Sequence, residues 1–354
     1  MTTAMHNLKE TGKIFGGSLF SLLSDKLLEL AVGDGIMVIS AGFVVLVQNI
    51  VQKGYISWDK TGYILQHFLQ LVWLGWWLSW IFMHSWGWTH NVTFVLHTIV
   101  LLMKLHSYSF YNGHLSAAES RLRMLYAKVS DAKDASKEDL EEIEILDREL
   151  SSPIGELRYP ENLSIARWID YLIVPSLVYA LDWPRTERIR WFYVLEKSLA
   201  TLGSIFLLYI VAEHYMVPVM HTAAQSLVRQ ENISGILMTV AEGITWLLFP
   251  FTLAILLVFY ISILNVFAEI SRFADRRFYD DWWNSHTWAA FAVKWNRPVH
   301  SFLRVHVDLS DLSHIVNFSR ACTGCYFQEA EILRFHRPDV SDTINTVTAH
   351  QVAA

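Results

Sequence analysis

Residues 278–284 read Phe278-Tyr279-Asp280-Asp281-Trp282-Trp283-Asn284. Two adjacent tryptophans are costly to leave in water, and tryptophan and tyrosine collect at the membrane–water interface. The preceding run, from Val266 to Ala274, places apolar residues at helical spacing with Glu269 and Arg272 between them. This pattern predicts a helix that lies along the membrane surface, with its charges outward, and leads into the aromatic stretch. An interfacial anchor without any chemistry explains the same composition.

The composition indicates a membrane protein. Of the 354 residues, 53% are hydrophobic and only 18% are charged, whereas about a quarter of the residues in soluble domains are charged. The 28 basic and 34 acidic residues give a formal charge of -6, which argues against a nucleic-acid partner because such a partner requires a clustered basic face. Cys322 and Cys325 form a single Cys-x-x-Cys pair. Without a second pair it favours chance over a zinc or redox site.

Hydropathy predicts an all-α, polytopic membrane protein. Residues 1–32 form a polar and amphipathic segment without a signal peptide, so insertion is expected to start at an internal span. A span takes about 20 mainly apolar residues. Three spans are predicted within residues 33–111 and two within residues 191–266: Gly35–Val51, Tyr63–Met83, Asn91–Leu105, Leu195–Val219 and Ile236–Val266, the last with a kink at Pro250.

The segments between and after the spans differ in character. From Asn112 to Pro160 the chain is polar and contains an acidic helical run, which predicts a solvated connector without chemistry. Residues 165–182 fit either a further span or a re-entrant or interfacial segment, and together with the connector they fill residues 112–190. The interfacial helix and the aromatic loop occupy residues 267–300, and residues 301–354 form a polar tail. Lys104, within the third span, should snorkel or face the protein interior.

Several blocks in order resemble one family. The aromatic stretch is similar to the Phe-Tyr-x-Asp-Trp-Trp-Asn motif of the sterol and diacylglycerol branch of the membrane-bound O-acyltransferases. Further blocks resemble the same family: His106-Ser107-Tyr108-Ser109-Phe110, Tyr159–Leu163, Pro175–Tyr179, Trp183–Thr186 and Trp295-Asn296-Arg297-Pro298-Val299-His300. The block at residues 106–110 favours the sterol branch, and the sequence of the blocks resembles that of fungal members of the family. The resemblance covers about residues 30–318.

The resemblance implies a helical membrane bundle that transfers a long-chain acyl group from acyl-CoA to a sterol 3-hydroxyl in the endoplasmic reticulum membrane. The implied partners are acyl-CoA as co-substrate, an ergosterol-like sterol, the bilayer and a second copy of the chain. No metal or cofactor is implied, and Glu213-His214 lacks the second ligand pair that a metal site needs. A diacylglycerol acyltransferase is the rival function, and comparing the two acceptors would separate them.

The resemblance also assigns roles to individual residues. Asn284 is expected at the centre of a tunnel, where its amide would hold the reacting groups or the oxyanion. Asp281 is expected to orient Asn284 or the tryptophans. The acyl-CoA-binding candidates are Phe278, Tyr279, Asp281, Trp282 and Trp283. The candidates for the substrate path are His106, Ser107, Tyr108 and Phe110, although a structural histidine that caps the end of a membrane helix also explains His106.

The general base of the family is not found. Family members carry it on an apolar helix about forty residues beyond the asparagine, but the region around Thr323 has neither an apolar helix nor a histidine. The chain is therefore expected to end before the catalytic histidine and the C-terminal helices, with His300 as the remaining candidate base. A membrane protein that binds acyl-CoA, sterol or a full-length partner without turnover is the hypothesis of a different class.

Overall fold

The computed structural model describes residues 24–131, 136–155, 157–229, 233–235, 237–241, 243–244 and 263–307. Within these ranges the regular elements are helical, and the only strand-like pairings are two isolated bridges. The all-α prediction is confirmed. The chain divides after His300 into two units, of which the second is described only from Ser301 to Val307. The start of the amphipathic segment, the centre of the predicted span around Pro250, both cysteines and most of the tail lie outside the described residues.

Single turns of π-helix lie at Trp58–Gly62 and Ala212–Met216, and one turn of 3₁₀-helix lies at Trp282–Asn284. The helices are α1 Leu27–Ser40, α2 Phe43–Gln52, α3 Tyr63–Met83, α4 Trp88–Asp131, α5 Lys137–Glu149, α6 Ile165–Ile173, α7 Trp191–Val211, α8 Val217–Val228, α9 Leu264–Ile270, α10 Trp288–Trp295 and α11 Arg297–His306.

Among the residues that the structure describes, three helical segments are long and apolar enough to cross a membrane: Leu27–Gln52, Trp88–Ser130 and Trp191–Thr222. The first combines α1 and α2, and the third runs from α7 into α8. The chain is thus a multi-pass membrane protein. The predicted span Tyr63–Met83 coincides with α3, and its crossing of the membrane stays a prediction.

Helix α3 packs between α1 and α4 through one buried face. Gln66, Gln70, Trp73 and Trp77 repeat at spacings of three and four residues and are all buried. The indole nitrogens of Trp73 and Trp77 donate to the Ser40 hydroxyl at 2.9 and 3.2 Å. Indole donors within a membrane bundle need such partners because lipid supplies none.

Helix α4 is longer than the sequence pattern predicts. Its 44 residues span about 66 Å, roughly twice the hydrocarbon core of a bilayer, so it continues well past Leu105. The predicted boundary at Asn112 is therefore wrong. Helix α5 packs back on the C-terminal part of α4 through charged pairs: Lys128–Asp139 at 2.7 Å, Arg121–Glu142 at 2.8 Å and His114–Glu149 at 2.7 Å. Helices α4 and α5 thus form a hairpin, and several charges of the acidic connector are paired within it.

Residues 165–182 do not form a span. Helix α6 has nine residues, about 14 Å, which is too short to cross the hydrocarbon core. The chain beyond Val174 is irregular. The side-chain nitrogen of Lys104 donates to the carbonyl oxygens of Tyr171 and Val174, both at 2.8 Å, and Lys104 is buried. Lys104 thus faces the protein interior and does not snorkel.

The predicted surface helix ends early. Helix α9 stops at Ile270, and Arg272 adopts the left-handed conformation with φ 57°. The amide of Phe273 donates to Ala268 O and that of Arg272 to Glu269 O, which is a Schellman C-cap. The prediction that the helix continues to Ala274 is therefore wrong. The prediction that Glu269 points outward is also wrong, because its side chain is fully buried.

Candidate active site

The first residues of the aromatic loop are tied to the end of α10 and the start of α11. The Asp280 amide donates to Lys294 O at 3.0 Å, and the Arg297 amide donates to Phe278 O at the same distance. The Arg297 guanidinium also donates to Asp280 Oδ2 at 2.9 Å. Phe278 is buried at the start of the loop. These contacts close residues 278–297 into one compact unit that carries Asn284.

The two tryptophans of the loop have different surroundings. Helix α10 places Phe291 and Trp295 one turn apart, and the Trp282 ring packs edge-on against them at centroid distances of 5.8 and 4.7 Å. The Trp283 side chain is 71% exposed. Trp282 thus anchors the loop to α10, whereas Trp283 presents an aromatic surface outward.

Asn284 ends the 3₁₀ turn and is held by Asp281. Its amide N–H donates to Asp281 O at 3.1 Å, and its side chain hydrogen-bonds the Asp281 carboxylate. The pKa of Asp281 lies below its usual range, first because Lys294 donates to it at 2.9 Å and also because Asn284 does. Asp281 is therefore a carboxylate at neutral pH and cannot serve as an acid. This geometry fits the predicted orienting role, which itself stays a prediction.

Asn284 is not enclosed by the described residues. Its side chain is exposed, as are Asp281 and Trp283, while Tyr279 is half-buried. The described residues thus do not form the tunnel at whose centre Asn284 was expected. His300 lies in α11, is half-buried, and its amide donates to Asn296 O at 2.9 Å. The roles of Asn284, His300 and the acyl-CoA-binding candidates stay predictions.

The motif His106-Ser107-Tyr108-Ser109-Phe110 lies in the middle of α4, and its side chains point in different directions. The His106 ring packs against His67 and stacks on Phe110. The interpretation of His106 as a cap is wrong, because α4 continues to Asp131. Tyr108 is fully buried and packs edge-on against Trp168 and Tyr179. Ser107, Tyr108 and the other substrate-path candidates keep that role as a prediction.

Residues 175–186 connect the motif at residues 106–110 with the aromatic loop. On one side, the Tyr179 amide donates to the Ser107 hydroxyl at 2.8 Å. On the other side, Thr186 N donates to Arg272 O and Ala274 N donates to Pro184 O, both at 2.8 Å. The ring of Trp183 contacts Phe273 at 5.9 Å. The blocks Pro175–Tyr179 and Trp183–Thr186 therefore fix the start of the aromatic loop relative to α4.

A buried polar network holds this connecting segment. The Asn162 side chain donates to Asn112 Oδ1 and to the Tyr179 hydroxyl, and all three side chains are buried. Burial raises the pKa of Tyr179 to about 12. Neither asparagine was expected to have a role. Their neighbours in sequence gave no signal, because Asn112 opens the polar segment and Asn162 follows Glu161.

A second group that sequence reasoning missed surrounds Glu269. Its carboxylate accepts from the Arg190 amide at 2.8 Å and from the Arg190 guanidinium at 3.1 and 2.9 Å. The Arg276 guanidinium donates to it at 3.0 Å. The hydrogen bonds from Arg190 and the nearby charge of Arg276 hold the pKa of Glu269 below its usual range. Arg190 lies 79 residues away in sequence, so no local pattern indicates the contact.

Similarity to known proteins agrees with this arrangement. The bundle is that of a multi-pass helical membrane protein with an aromatic–asparagine loop. Residues 55–308 match the profile of MBOAT, the membrane-bound O-acyltransferase family. The chain belongs to the membrane-bound O-acyltransferase family.

Its relatives include named sterol acyltransferases of fungi. It is 39% identical to probable sterol O-acyltransferase 2 of Schizosaccharomyces pombe, over 86% of this chain and 64% of that protein. It is 33% identical to sterol O-acyltransferase 2 of Saccharomyces cerevisiae, over 90% of this chain and 52% of that protein. Diacylglycerol O-acyltransferase 1 of Dictyostelium discoideum is 38% identical over only 43% of this chain. The chain spans about half to two thirds of the length of these sterol acyltransferases.

Proposed function

We propose that the protein transfers a long-chain acyl group from acyl-CoA to the 3-hydroxyl of a membrane sterol. The observation that carries the proposal is the aromatic loop. In this loop the Asn284 side chain is hydrogen-bonded to the Asp281 carboxylate, and Trp282 anchors the loop to α10. Similarity to fungal sterol O-acyltransferases over most of the chain supports the choice of acceptor.

In the proposed reaction, the sterol oxygen attacks the thioester carbonyl carbon. A C–O bond forms, the C–S bond breaks, and the hydroxyl proton passes through a base to the departing CoA sulfur. The Asn284 amide would donate to the oxyanion that develops on the carbonyl, and such a donor is commonly worth about 3–4 kcal/mol of barrier. A base is required because an alcohol is a poor nucleophile near neutral pH, and His300 is the candidate that this chain offers.

The candidate membrane spans support a reaction within the bilayer, where a sterol already resides. Location in the endoplasmic reticulum and assembly into a homo-oligomer are parts of the same proposal. Diacylglycerol is the second candidate acceptor, since one relative with a shorter match is a diacylglycerol O-acyltransferase.

The test is an acyl-transfer assay on membranes of cells that lack their own sterol- and diacylglycerol-esterifying enzymes. Labelled oleoyl-CoA is supplied with ergosterol or with diacylglycerol in separate reactions. Labelled sterol ester without triacylglycerol would support the proposal, and triacylglycerol alone would favour the second acceptor. Binding of acyl-CoA with neither product would contradict an enzymatic function of this chain.

A further inference from the structure

Glu269 occupies the point where three segments meet. It lies near the end of α9, its carboxylate faces the N-cap residue of α7, Arg190, and it reaches Arg276 in the chain that leads to the aromatic loop. Its side chain is fully buried. A buried carboxylate requires such partners, and a negative charge at the start of α7 is further favoured by the helix dipole.

The contact with Arg276 fixes the N-terminal end of the loop. Besides the Glu269 carboxylate, the Arg276 guanidinium donates to Asn265 O at 3.2 Å. Only Arg277 separates Arg276 from Phe278, where the motif begins. Further along the loop, Asp281 pairs with Lys294 and Asp280 pairs with Arg297, both at 2.9 Å. The chain that leads to Asn284 thus has two sets of ionic anchors, one of which depends on Glu269.

We propose that Glu269 is a positioning residue for Asn284, an inference that rests on the proposed acyl transfer. Its charge keeps Arg276 against α9, which holds the aromatic loop in the conformation where the Asn284 amide meets the reacting carbonyl. Without this charge, the segment from Arg276 onward loses one of its anchors while the membrane helices keep theirs.

The Glu269→Gln variant removes the charge at nearly constant shape. The side-chain NH₂ of the glutamine would then lie opposite the N–H groups of the arginines, so that donors face donors. Because a misplacement of about 1 Å can lower a rate by about 10²-fold, we expect kcat to fall by about that factor. We expect KM for acyl-CoA to stay unchanged, because a positioning defect affects the transition state more than ground-state binding. Glu269→Asp keeps the charge and should recover part of kcat.

The matched control is Glu142→Gln. Glu142 also accepts two hydrogen bonds from one arginine, Arg121, at 2.8 and 3.0 Å, but this pair is exposed and lies in the α4–α5 hairpin. The variant changes the same chemical group without contact to the loop. Its kcat should equal that of the wild type.

A second measurement does not depend on activity. Limited trypsin digestion of the detergent-solubilised protein reports cleavage after Arg276 and Arg277, with fragment ends identified by mass spectrometry. Cleavage there should be faster in Glu269→Gln than in the wild type or Glu142→Gln. Cleavage within the α4–α5 hairpin should be unchanged in Glu269→Gln, which separates local release from general unfolding.

Faster cleavage at the loop together with a lower kcat and partial rescue by Glu269→Asp would support the proposal. Wild-type kcat or wild-type cleavage in Glu269→Gln would overturn it. Faster cleavage throughout the chain would also overturn it, because Glu269 would then act in folding as a whole. If the wild type forms no ester, the proposed function fails, and the cleavage pattern alone decides whether Glu269 positions the loop.

Discussion

Replacing Lys104 by methionine should loosen the segment that links the two motifs. The Lys104 nitrogen donates to the carbonyls of Tyr171 and Val174, both at 2.8 Å, and lies 4.4 Å from the centre of the Tyr171 ring. These carbonyls end α6, where the helix no longer supplies donors. Lys104→Met keeps a flexible chain of similar length but removes both hydrogen bonds.

The magnitude follows from the two carbonyls. An unpaired buried acceptor costs about 1–3 kcal/mol, so the two together cost about 2–6 kcal/mol. Part of this cost is offset, because burying a methionine does not require the desolvation of a charge, as burying a lysine does. We expect a net loss of about 2 kcal/mol, which corresponds to a roughly 30-fold change in the local opening equilibrium.

Hydrogen exchange read by mass spectrometry on the detergent-solubilised protein measures this opening directly. Peptides that cover residues 171–183 should exchange about 30-fold faster in Lys104→Met. The control is Lys197→Met in α7, because Lys197 also lies over a tyrosine ring, Tyr193 at 5.2 Å, but pairs with Glu196. Unchanged exchange in Lys104→Met, or equal acceleration in the control, would refute the reasoning.

Two further predictions concern packing and pH. Gly113→Ala should destabilise the protein by at least about 1–3 kcal/mol, because the new Cβ would lie 2.1 Å from the buried Trp58 ring. In the control, Gly75→Ala, the new Cβ meets nothing within 4 Å and should stabilise α3 by up to about 1 kcal/mol. Thermal unfolding in detergent compares them, and equal melting temperatures would contradict the close approach. The pKa of Glu269 is lowered in the folded protein. Its contribution to the stability of the folded state is therefore complete above the ordinary glutamate pKa of about 4.3. This contribution is lost as pH falls through the lower folded-state pKa. Hydrogen exchange of residues 269–277, corrected for intrinsic rates, should therefore stay slow down to that ordinary value, and a loss of protection above pH 5 would argue against the ion pair.

Hydropathy was sufficient for the bounds of α3 but not for those of α4. The predicted segment Tyr63–Met83 and helix α3 have the same bounds, since a long apolar run fixes a helix by composition. Helix α4 continues beyond Asn112 because its polar residues still favour a helix and α5 supplies partners for their charges. Such pairing joins residues 11 to 35 positions apart, and hydropathy does not register it.

The aromatic loop could be located from the sequence, but the contacts that hold it could not. The helical spacing from Val266 to Ala274 predicted one continuous helix, yet the left-handed Arg272 ends it so that the chain can pair with residues 184–186. That pairing bridges 86 residues. The burial of Glu269 has the same origin, because its main partner, Arg190, comes from a distant segment. Local periodicity cannot detect partners of this kind.

The most direct test of the account measures sterol ester formation by the Asn284→Ala and Asn284→Asp variants of the 354-residue chain. Both remove the amide donor, and Asn284→Asp keeps the shape of the side chain. We expect kcat to fall by about 10²–10³-fold in each, with the tryptic cleavage pattern of the wild type. Ester formation at the wild-type rate in either variant would contradict the central claim that the Asn284 amide stabilises the transition state.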